Sequence, residues 1–326
     1  MNPFELVEAG SVAQASEMLR ANSAFAVAGG SDILGEIKEG VVRPAALVDL
    51  NRLAELQAVT ISAESLEIGA LVTLAELEAH PDIIDRYPAL AQAAASVATP
   101  QIRNVGTLGG NLCQRPRCWY FRSPLFDCRK KGGTICFAVN GNSKYHAILG
   151  GKDCFIVHPS DTAVPLISYG AEVTVAGPDG ARRLPLEELF VGPDVDILRE
   201  TALGPGEILT GVALPRPPEG QRSIFLKTRE RQAQDFALVS VAVALRMEGD
   251  RVIDACVTLG GVAPVPLRLP SVEKAIQGVM VRDVDVRALG EMAVDGARPL
   301  RDNHFKVPLT STLVRRAIGA LLGQAV

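Results

Sequence analysis

Between Cys113 and Cys154 the chain places five of its six cysteines: Cys113, Cys118, Cys128, Cys136 and Cys154. The stretch has little hydrophobic periodicity and is rich in glycine, proline and basic residues, so it reads as one long loop. Loops of this length are uncommon inside a compact domain unless they carry a function. A metal cluster would give it a nucleus that its own side chains do not. In a chain of 326 residues, clustered cysteines do not look like the disulfide framework of a small secreted domain. They point to metal or redox chemistry, with burial as small apolar side chains the plainer alternative. Four thiolates suit zinc as well as an iron–sulfur cluster. The stretch contains no CxxC pair, which counts against a zinc ribbon. The sixth thiol, Cys256, alternates with apolar residues in "IDACVTLGG" and reads as part of a strand core.

The length allows two or three domains, each with its own core. Hydrophobic residues make up 48% and charged residues 21%, and the formal charge of −4 gives no general attraction to nucleic acid or to an anionic membrane. No run of about 18 apolar residues suggests a membrane span. "MNPFELVEAG" lacks the basic start and apolar core of a secretory signal, so a cytoplasmic location is expected. Export to the periplasm on a signal-bearing partner is compatible with the same sequence. The histidines His80, His146, His158 and His304 are scattered and read as structural or solvated. No paired carboxylates and no Ser-His-Asp order stand out.

Helix and strand signals mix throughout, giving an α+β or α/β class. Ser11 caps a helix over "SVAQASEMLRA", and "AFAVAGG" is a strand entering a glycine turn. "SDILGEIKEG" starts a short helix with Ser31 or Asp32 at its cap, and "AALVDL" is a strand. "LQAVTISAESLEIGALVT" is a hairpin turning near Glu64 and Ser65; "TLAELEAH" and the Ala-rich "ALAQAAASVA" are helical. After the cysteines, "DTAVPLISYGAEVTVAG" reads as helix then strand, and "GEILTGVALPRPPEG" as a strand running into a proline-rich boundary. "ALVSVAVALRMEGDRVIDACVTLGG" is two strands turning at Gly249 and Asp250. "TSTLVRRAIGALLG" aligns Leu313, Val314, Ala317, Ile318, Leu321 and Leu322 on one helical face, a core stripe.

Two glycine loops are candidates for a phosphate-bearing ligand. "VAGGSDILG" is a strand, a glycine turn and a helix start, where backbone can approach an anion closely. It is neither the GxGxxG fingerprint nor a P-loop, and a plain strand-to-helix turn is the alternative. "NVGTLGGNL", just before the cysteines, adds the donors of Thr107 and Asn111. Two such loops in one domain suit a ligand with two phosphates.

"AGGSDILGEIK", "QIRNVGTLGGNL", "HPSDTAVPL" and "FLKTRERQAQDFALVSVA" occur in this order. In order and separation they closely resemble the FAD-binding medium subunits of the xanthine dehydrogenase family of molybdenum hydroxylases, across essentially the whole chain. The resemblance implies an α+β fold. A two-subdomain FAD-binding domain of the PCMH/VAO-like kind would span residues 1–217, divided into 1–55 and 56–217. A smaller α+β domain like that of CO-dehydrogenase flavoproteins would span 218–326. The inserted loop 113–154 resembles that of FAD subunits with an extra [4Fe-4S] cluster, of the aldehyde oxidoreductase and 4-hydroxybenzoyl-CoA reductase types. "NLCQRPRC", "HAILGGKDC" and "HPSD" stand closer to the aldehyde type. Matched position by position, the implied cluster ligands are Cys118, Cys128, Cys136 and Cys154; Cys113 falls where that type need not have a cysteine.

The same resemblance implies the FAD contacts. Ala28, Gly29, Gly30, Ser31, Asp32 and Ile33 match the pyrophosphate-binding turn, and Thr107, Gly110 and Asn111 the second loop, over the phosphates and ribityl chain. Ala98 and Gly106 match positions packed closely on the cofactor, Gly106 standing where alanine is commoner. Asp161 matches an acid near the adenosine or ribityl hydroxyls, Leu209 an apolar contact to the isoalloxazine, and Lys227 a cation beside the flavin ring. A helix cap is the plain alternative for Asp161, and a surface salt bridge for Lys227.

The implied activity is that of an electron-transfer subunit. An aldehyde, aromatic or N-heterocyclic substrate would be oxidised at a molybdenum cofactor on a large partner subunit. Electrons would pass through [2Fe-2S] clusters of a small partner subunit to FAD here, then to an external acceptor such as a ferredoxin. In a 4-hydroxybenzoyl-CoA reductase-like enzyme they would run toward molybdenum. A free-standing flavin oxidase and a zinc-stapled flavin-binding module are readings from other classes. No nucleic-acid or membrane partner is expected. Within 113–154, Arg115, Arg117, Arg122, Arg129, Lys130, Lys131, Lys144 and Lys152 face only Asp127 and Asp153. Such a loop would offset the charge of an iron–sulfur centre and tend to raise its potential. If exposed, it would attract an acidic ferredoxin; a solvated basic loop is the alternative.

Overall fold

The computed structural model describes residues 2–21 and 23–324 and contains three separate sheets. The first orders β1 (Glu5–Glu8), β2 (Ala24–Val27) and β3 (Ala46–Asp49) as β1-β3-β2, all parallel. Parallel neighbours need crossovers, and the helices Val12–Met18 and Ile33–Lys38 provide them. Ser11 caps the first, its Oγ accepting from the Gln14 N–H at 3.1 Å.

The second sheet is antiparallel. It orders β4 (Val59–Ile61), β5 (Ser65–Gly69), β6 (Glu172–Gly177), β7 (Gly180–Pro185) and β8 (Ile208–Pro215) as β4-β5-β8-β6-β7. Because β8 is the strand that joins β5 to β6, residues 70–171 form one excursion from the sheet, and both the second glycine loop and the cysteine stretch lie within it. The helices Leu74–Ala79, Pro88–Ser96 and Ala163–Ser168 bury Leu74, Leu77, Leu90, Val164 and Leu166 against this sheet's core.

The third sheet orders β9 (Gln221–Thr228), β10 (Val239–Glu248), β11 (Arg251–Gly260) and β12 (Leu267–Arg268) as β12-β11-β10-β9. The helix Lys306–Leu322 covers it with Leu313, Val314, Ala317, Ile318 and Leu322; Leu321 is only half-buried. This sheet is joined to the second core through Phe225, Ala242 and Ala244. Tyr87 stands edge-on to Tyr169 with centroids 5.3 Å apart and donates to the Pro215 carbonyl at 2.9 Å, while the Tyr169 hydroxyl lies 2.5 Å from Ser223 Oγ on β9 and ties the two sheets. β9, which carries no clear strand signal in the sequence, lies along the helix Pro88–Ser96, where the Phe225 N–H donates to Gln92 Oε1 at 2.8 Å. That contact places the β9–β10 connection, residues 229–238, over the glycine loops.

The cysteine stretch is irregular, as its composition demands, apart from short turns at Trp119–Arg122 and Arg129–Lys131. It is not a solvated loop. Phe121, Cys128, Ala138, Ala147, Ile148 and Cys154 are buried, and Tyr120, Phe126 and Phe137 form an aromatic cluster. Lys306, fully buried, donates to the carbonyls of His146 at 3.1 Å and Gly261 at 2.7 Å; burial pulls its pKa down to about 7. The loop therefore has a nucleus of its own. Among the described residues no helix is long and apolar enough to cross a membrane.

Candidate functional site

The two glycine loops interlock. A Cβ on Gly29 would lie 1.8 Å from the Val105 carbonyl oxygen, so the first loop is glycine because the second packs on its backbone. Gly30 follows at φ +68°, the left-handed region. Among the described residues, the N–H groups of Gly29, Gly30, Ser31, Asp32 and Ile33 reach no protein acceptor. These residues, with Ala28, line a cavity of about 220 Å³ whose opposite wall includes Thr107 and Gly110. Consecutive free N–H groups in a concave turn suit an anion.

The cavity continues into a second of about 240 Å³, lined by Ala98, Gly106, Asn111 and Asp161, with Ser31, Asp32, Thr107 and Gly110 shared between the two. The β9–β10 connection closes it with Gln234, Asp235 and Phe236. A third cavity of about 260 Å³ shares Arg117, Asp161 and Phe236 with the second and reaches Cys118, Trp119, Tyr145 and His146. Contiguous, the three fall in the range of about 300–1,000 Å³ usual for cofactor sites.

Two strained residues face each other across this crevice. Ala98 has φ +44° and Gln234 φ +53°, and the Gln234 N–H donates to the Ala98 carbonyl at 2.9 Å. The neighbouring Ser96 carbonyl accepts from Lys227 at 3.2 Å and Arg229 at 2.8 Å. Backbone strain over-determined by its surroundings is a mark of functional sites. Asn111 is buried and accepts from Ser160 Oγ at 2.6 Å and Thr162 Oγ1 at 2.7 Å.

Two of the expected contact residues do not line these three cavities. Leu209 lies in the core of the second sheet and lines none of the three cavities, because its side of β8 packs inward. Lys227 does not line them either. Its Nζ is 2.6 Å from Asp161 Oδ2, with both side chains nearly inaccessible, so it reaches the crevice only through Asp161. Burial raises the Asp161 pKa and Lys227 opposes the shift. Asp32 lines the first two cavities, but its carboxylate is taken up by the cysteine stretch. Its carboxylate accepts from the Arg115 N–H at 2.8 Å, Arg117 Nη1 at 2.5 Å and Arg122 Nη2 at 2.7 Å.

Those arginines belong to the cysteine stretch, and most of its basic residues are engaged in this way. Arg115 and Lys130 pair with Glu200, Arg129 with Asp153 and Lys144 with Glu230, while Lys131 donates to the Ser123 carbonyl. Lys130 is itself buried. Carboxylates distant in sequence thus offset part of the basic charge of the stretch, while the side chains of Arg129 and Lys144 stay exposed.

Of the thiols, Cys128 and Cys154 are buried and Cys118 and Cys136 half-buried. Burial pushes Cys118 up to about 12, and Cys154 and Cys128 lie close enough to push it further, against backbone N–H groups of Phe121 and Tyr120. Cys154 is pushed up to about 11, again by burial first, with the Ile156 N–H opposing and Cys136 and Cys128 adding to the rise. The four thus sense one another's charge. Among the described residues, no group of three or more His, Cys, Asp or Glu side chains is placed to hold a metal ion. His146, read from sequence as structural or solvated, sits with Nε2 at 3.2 Å from Cys118 Sγ. Cys113 stands apart against the second core.

Sequence reading did not assign Arg117, Gln234 or Phe236, although Gln234 and Phe236 lie inside the motif "FLKTRERQAQDFALVSVA". Residues 2–217 match the FAD binding domain in molybdopterin dehydrogenase, and residues 224–321 the CO dehydrogenase flavoprotein C-terminal domain. The chain is 35% identical over 303 residues to the aldehyde oxidoreductase FAD-binding subunit PaoB of Escherichia coli (strain K12), covering 92% of this chain and 90% of that one. It is 27% identical over 298 residues to the carbon monoxide dehydrogenase medium chain of Hydrogenophaga pseudoflava, covering 90% and 88%. A solved structure of the carbon monoxide dehydrogenase from that organism, lacking the Mo-pyranopterin moiety of its cofactor, superposes with a TM-score of 0.78 at 25% identity over the whole of both chains. With the matched domains spanning almost all of the chain and a crevice built between its glycine loops, this protein belongs to the family of FAD-binding subunits of multi-subunit molybdenum-dependent oxidoreductases.

Proposed function

We propose that this chain is the FAD and [4Fe-4S] electron-transfer subunit of a molybdenum hydroxylase of the aldehyde oxidoreductase type. One observation carries the reading: the third cavity joins Cys118 to Asp161 and Phe236, so the cysteine stretch and the FAD crevice share a wall. FAD would be held by the residues 28–33, Ala98, Gly106, Thr107, Gly110, Asn111 and Asp161, and when bound would exchange electrons in pairs or singly. Cys118, Cys128, Cys136 and Cys154 would hold the cluster. The absence of a CxxC pair and the likeness of the loop motifs to the aldehyde type favour a cluster over the zinc-stapled alternative.

Partners follow from the same reading: a large subunit with the molybdenum cofactor and a small subunit with [2Fe-2S] clusters feeding this FAD. The domain division is 1–55, 56–217 and 218–326, with 113–154 inserted. An aldehyde, aromatic or N-heterocycle would be oxidised on the large subunit. A ferredoxin-like acceptor remains in the proposal, but its docking does not rest on the loop's cations. The 4-hydroxybenzoyl-CoA reductase-like direction of flow has less support, since the loop motifs match the aldehyde type.

Purified with its partners, the complex is expected to contain flavin plus iron and sulfide beyond the small subunit's share. Serine at Cys118, Cys128, Cys136 or Cys154 removes that excess, whereas Cys113→Ser and Cys256→Ser retain it. Iron and sulfide analysis with absorption spectra decides. Full cluster occupancy in Cys136→Ala sinks the ligand assignment, and stoichiometric zinc in its place supports the stapled module.

A further inference from the structure

The cysteine stretch sends a side chain into the FAD crevice itself. Arg117 borders both the second and third cavities. Its guanidinium rests on the Phe236 ring, 4.9 Å from the centroid, so the insertion meets the β9–β10 connection directly over the crevice. Its side chain keeps 29% of its surface exposed. Nη1 is fully used, by Asp32 Oδ1 at 2.5 Å and the Arg115 carbonyl at 2.6 Å. Nη2 gives one hydrogen to Gln114 Oε1 at 3.0 Å. Among the described residues the second Nη2 hydrogen and Nε–H have no protein acceptor, so a guanidinium locked in place retains two unused donors.

The surrounding charge points the same way. Arg115, Arg117, Arg122 and Lys130 pair with only Asp32, Glu36 and Glu200, four cations against three carboxylates. Glu36 is buried with no hydrogen-bond donor on either oxygen and is held by Arg115 and Arg122 alone, at 3.5 and 3.3 Å. The network is partly buried, and its surplus positive charge lies beside the turn whose N–H groups are free, Arg115 lining the same cavity as that turn. Asp32 would repel an anion at that turn if left bare; paired with two guanidiniums, it instead aims one of them.

We propose that Arg117 is a ligand for the diphosphate of the flavin dinucleotide, supplied by the cysteine insertion, and that the Asp32 carboxylate anchors Arg117 while only the Asp32 backbone faces the cofactor. This rests on the reading that the crevice takes FAD. It makes flavin retention depend on the folded insertion, whether or not a cluster fills it.

The test titrates the full-length, deflavinated chain with FAD and with riboflavin, which has the ring and ribityl chain but no phosphate. Arg117→Met is expected to weaken FAD at least tenfold while leaving riboflavin within twofold, because a fork to a phosphate is lost and the ring site is not. Arg117→Lys keeps the charge without the fork and recovers part of the FAD affinity. Asp32→Asn weakens FAD less than Arg117→Met. Unchanged FAD affinity in Arg117→Met, equal loss for FAD and riboflavin, or a larger loss in Asp32→Asn overturns the assignment. Should Arg117→Met fail to fold, Arg117→Lys is judged against the wild type: FAD weakened with riboflavin within twofold upholds the assignment, and unchanged FAD affinity or an equal loss of both overturns it. Wild-type chain that binds no FAD at all refutes the proposed function instead. Iron and sulfide, measured on the same samples, separate this result from the fate of the cluster.

Discussion

Gly29→Ala is expected to yield a folded chain almost empty of flavin. The added Cβ would sit 1.8 Å from the Val105 carbonyl oxygen and 2.6 Å from its carbon, neither of which is the movable end of a side chain. The two loops must part, at a strain of about 1–3 kcal/mol or more. Since the crevice lies between them, FAD affinity should fall roughly tenfold to a hundredfold. Gly30→Val should also give a flavin-poor protein, but a milder one. Its cost is a positive φ, about 1–3 kcal/mol, and its Cβ would meet the flexible end of Leu34 at 3.0 Å. Flavin content and FAD titration of both variants give the ranking. The reverse order would mean that close approach of the cofactor, not packing of one loop on the other, dictates glycine in this turn.

Lys227→Met is expected to destabilise the chain by about 3–5 kcal/mol, the cost of stranding a buried charge. Asp161 would be left with no cation within hydrogen-bond reach, since its 2.6 Å partner is Lys227. Lys227→Met combined with Asp161→Asn should recover most of the loss, because no charge is then left unpaired. The pH dependence has a definite sign. Burial already raises the Asp161 pKa, and removing Lys227 takes away the main opposing influence and leaves only Arg229, so the folded variant binds a proton more readily than the unfolded chain. Stability from that proton is present at low pH and is lost as pH rises from the ordinary carboxylate range through the raised folded value. The variant's deficit should therefore shrink on acidification. Denaturant melts of the single and double variants across pH test this. A shifted flavin potential with unchanged stability would instead restore Lys227 as a cation acting on the flavin ring.

Leu209 and Lys227 show what matching by position leaves open. Each sits at a position whose relatives are implied to touch cofactor, yet here one side chain packs into a sheet core and the other ends on a carboxylate. A position in a motif specifies a strand and a register. It does not specify where the side chain ends.

What the sequence by itself determined was local. Ser11 as a helix cap, the turn at Gly249, the strands β10 and β11, and the stripe along the last helix all depend on residues within a few positions of one another. The ordered motifs added the family, and with it the glycine loops as a cofactor site. Tertiary structure decided everything carried by charge and by strain. The loop's arginines looked free because their acceptors are 83, 85 and 90 residues away, and no spacing rule joins Arg115, Arg117 and Arg122 to Asp32. β9 carries little strand signal and becomes legible only when the helix Pro88–Ser96 lies against it. Ala98 and Gln234 adopt left-handed backbone that neither residue prefers, because one hydrogen bond between two distant loops holds both. Short-range free energies are written in neighbouring residues; the pairing of buried charges exists only once the chain has brought them together.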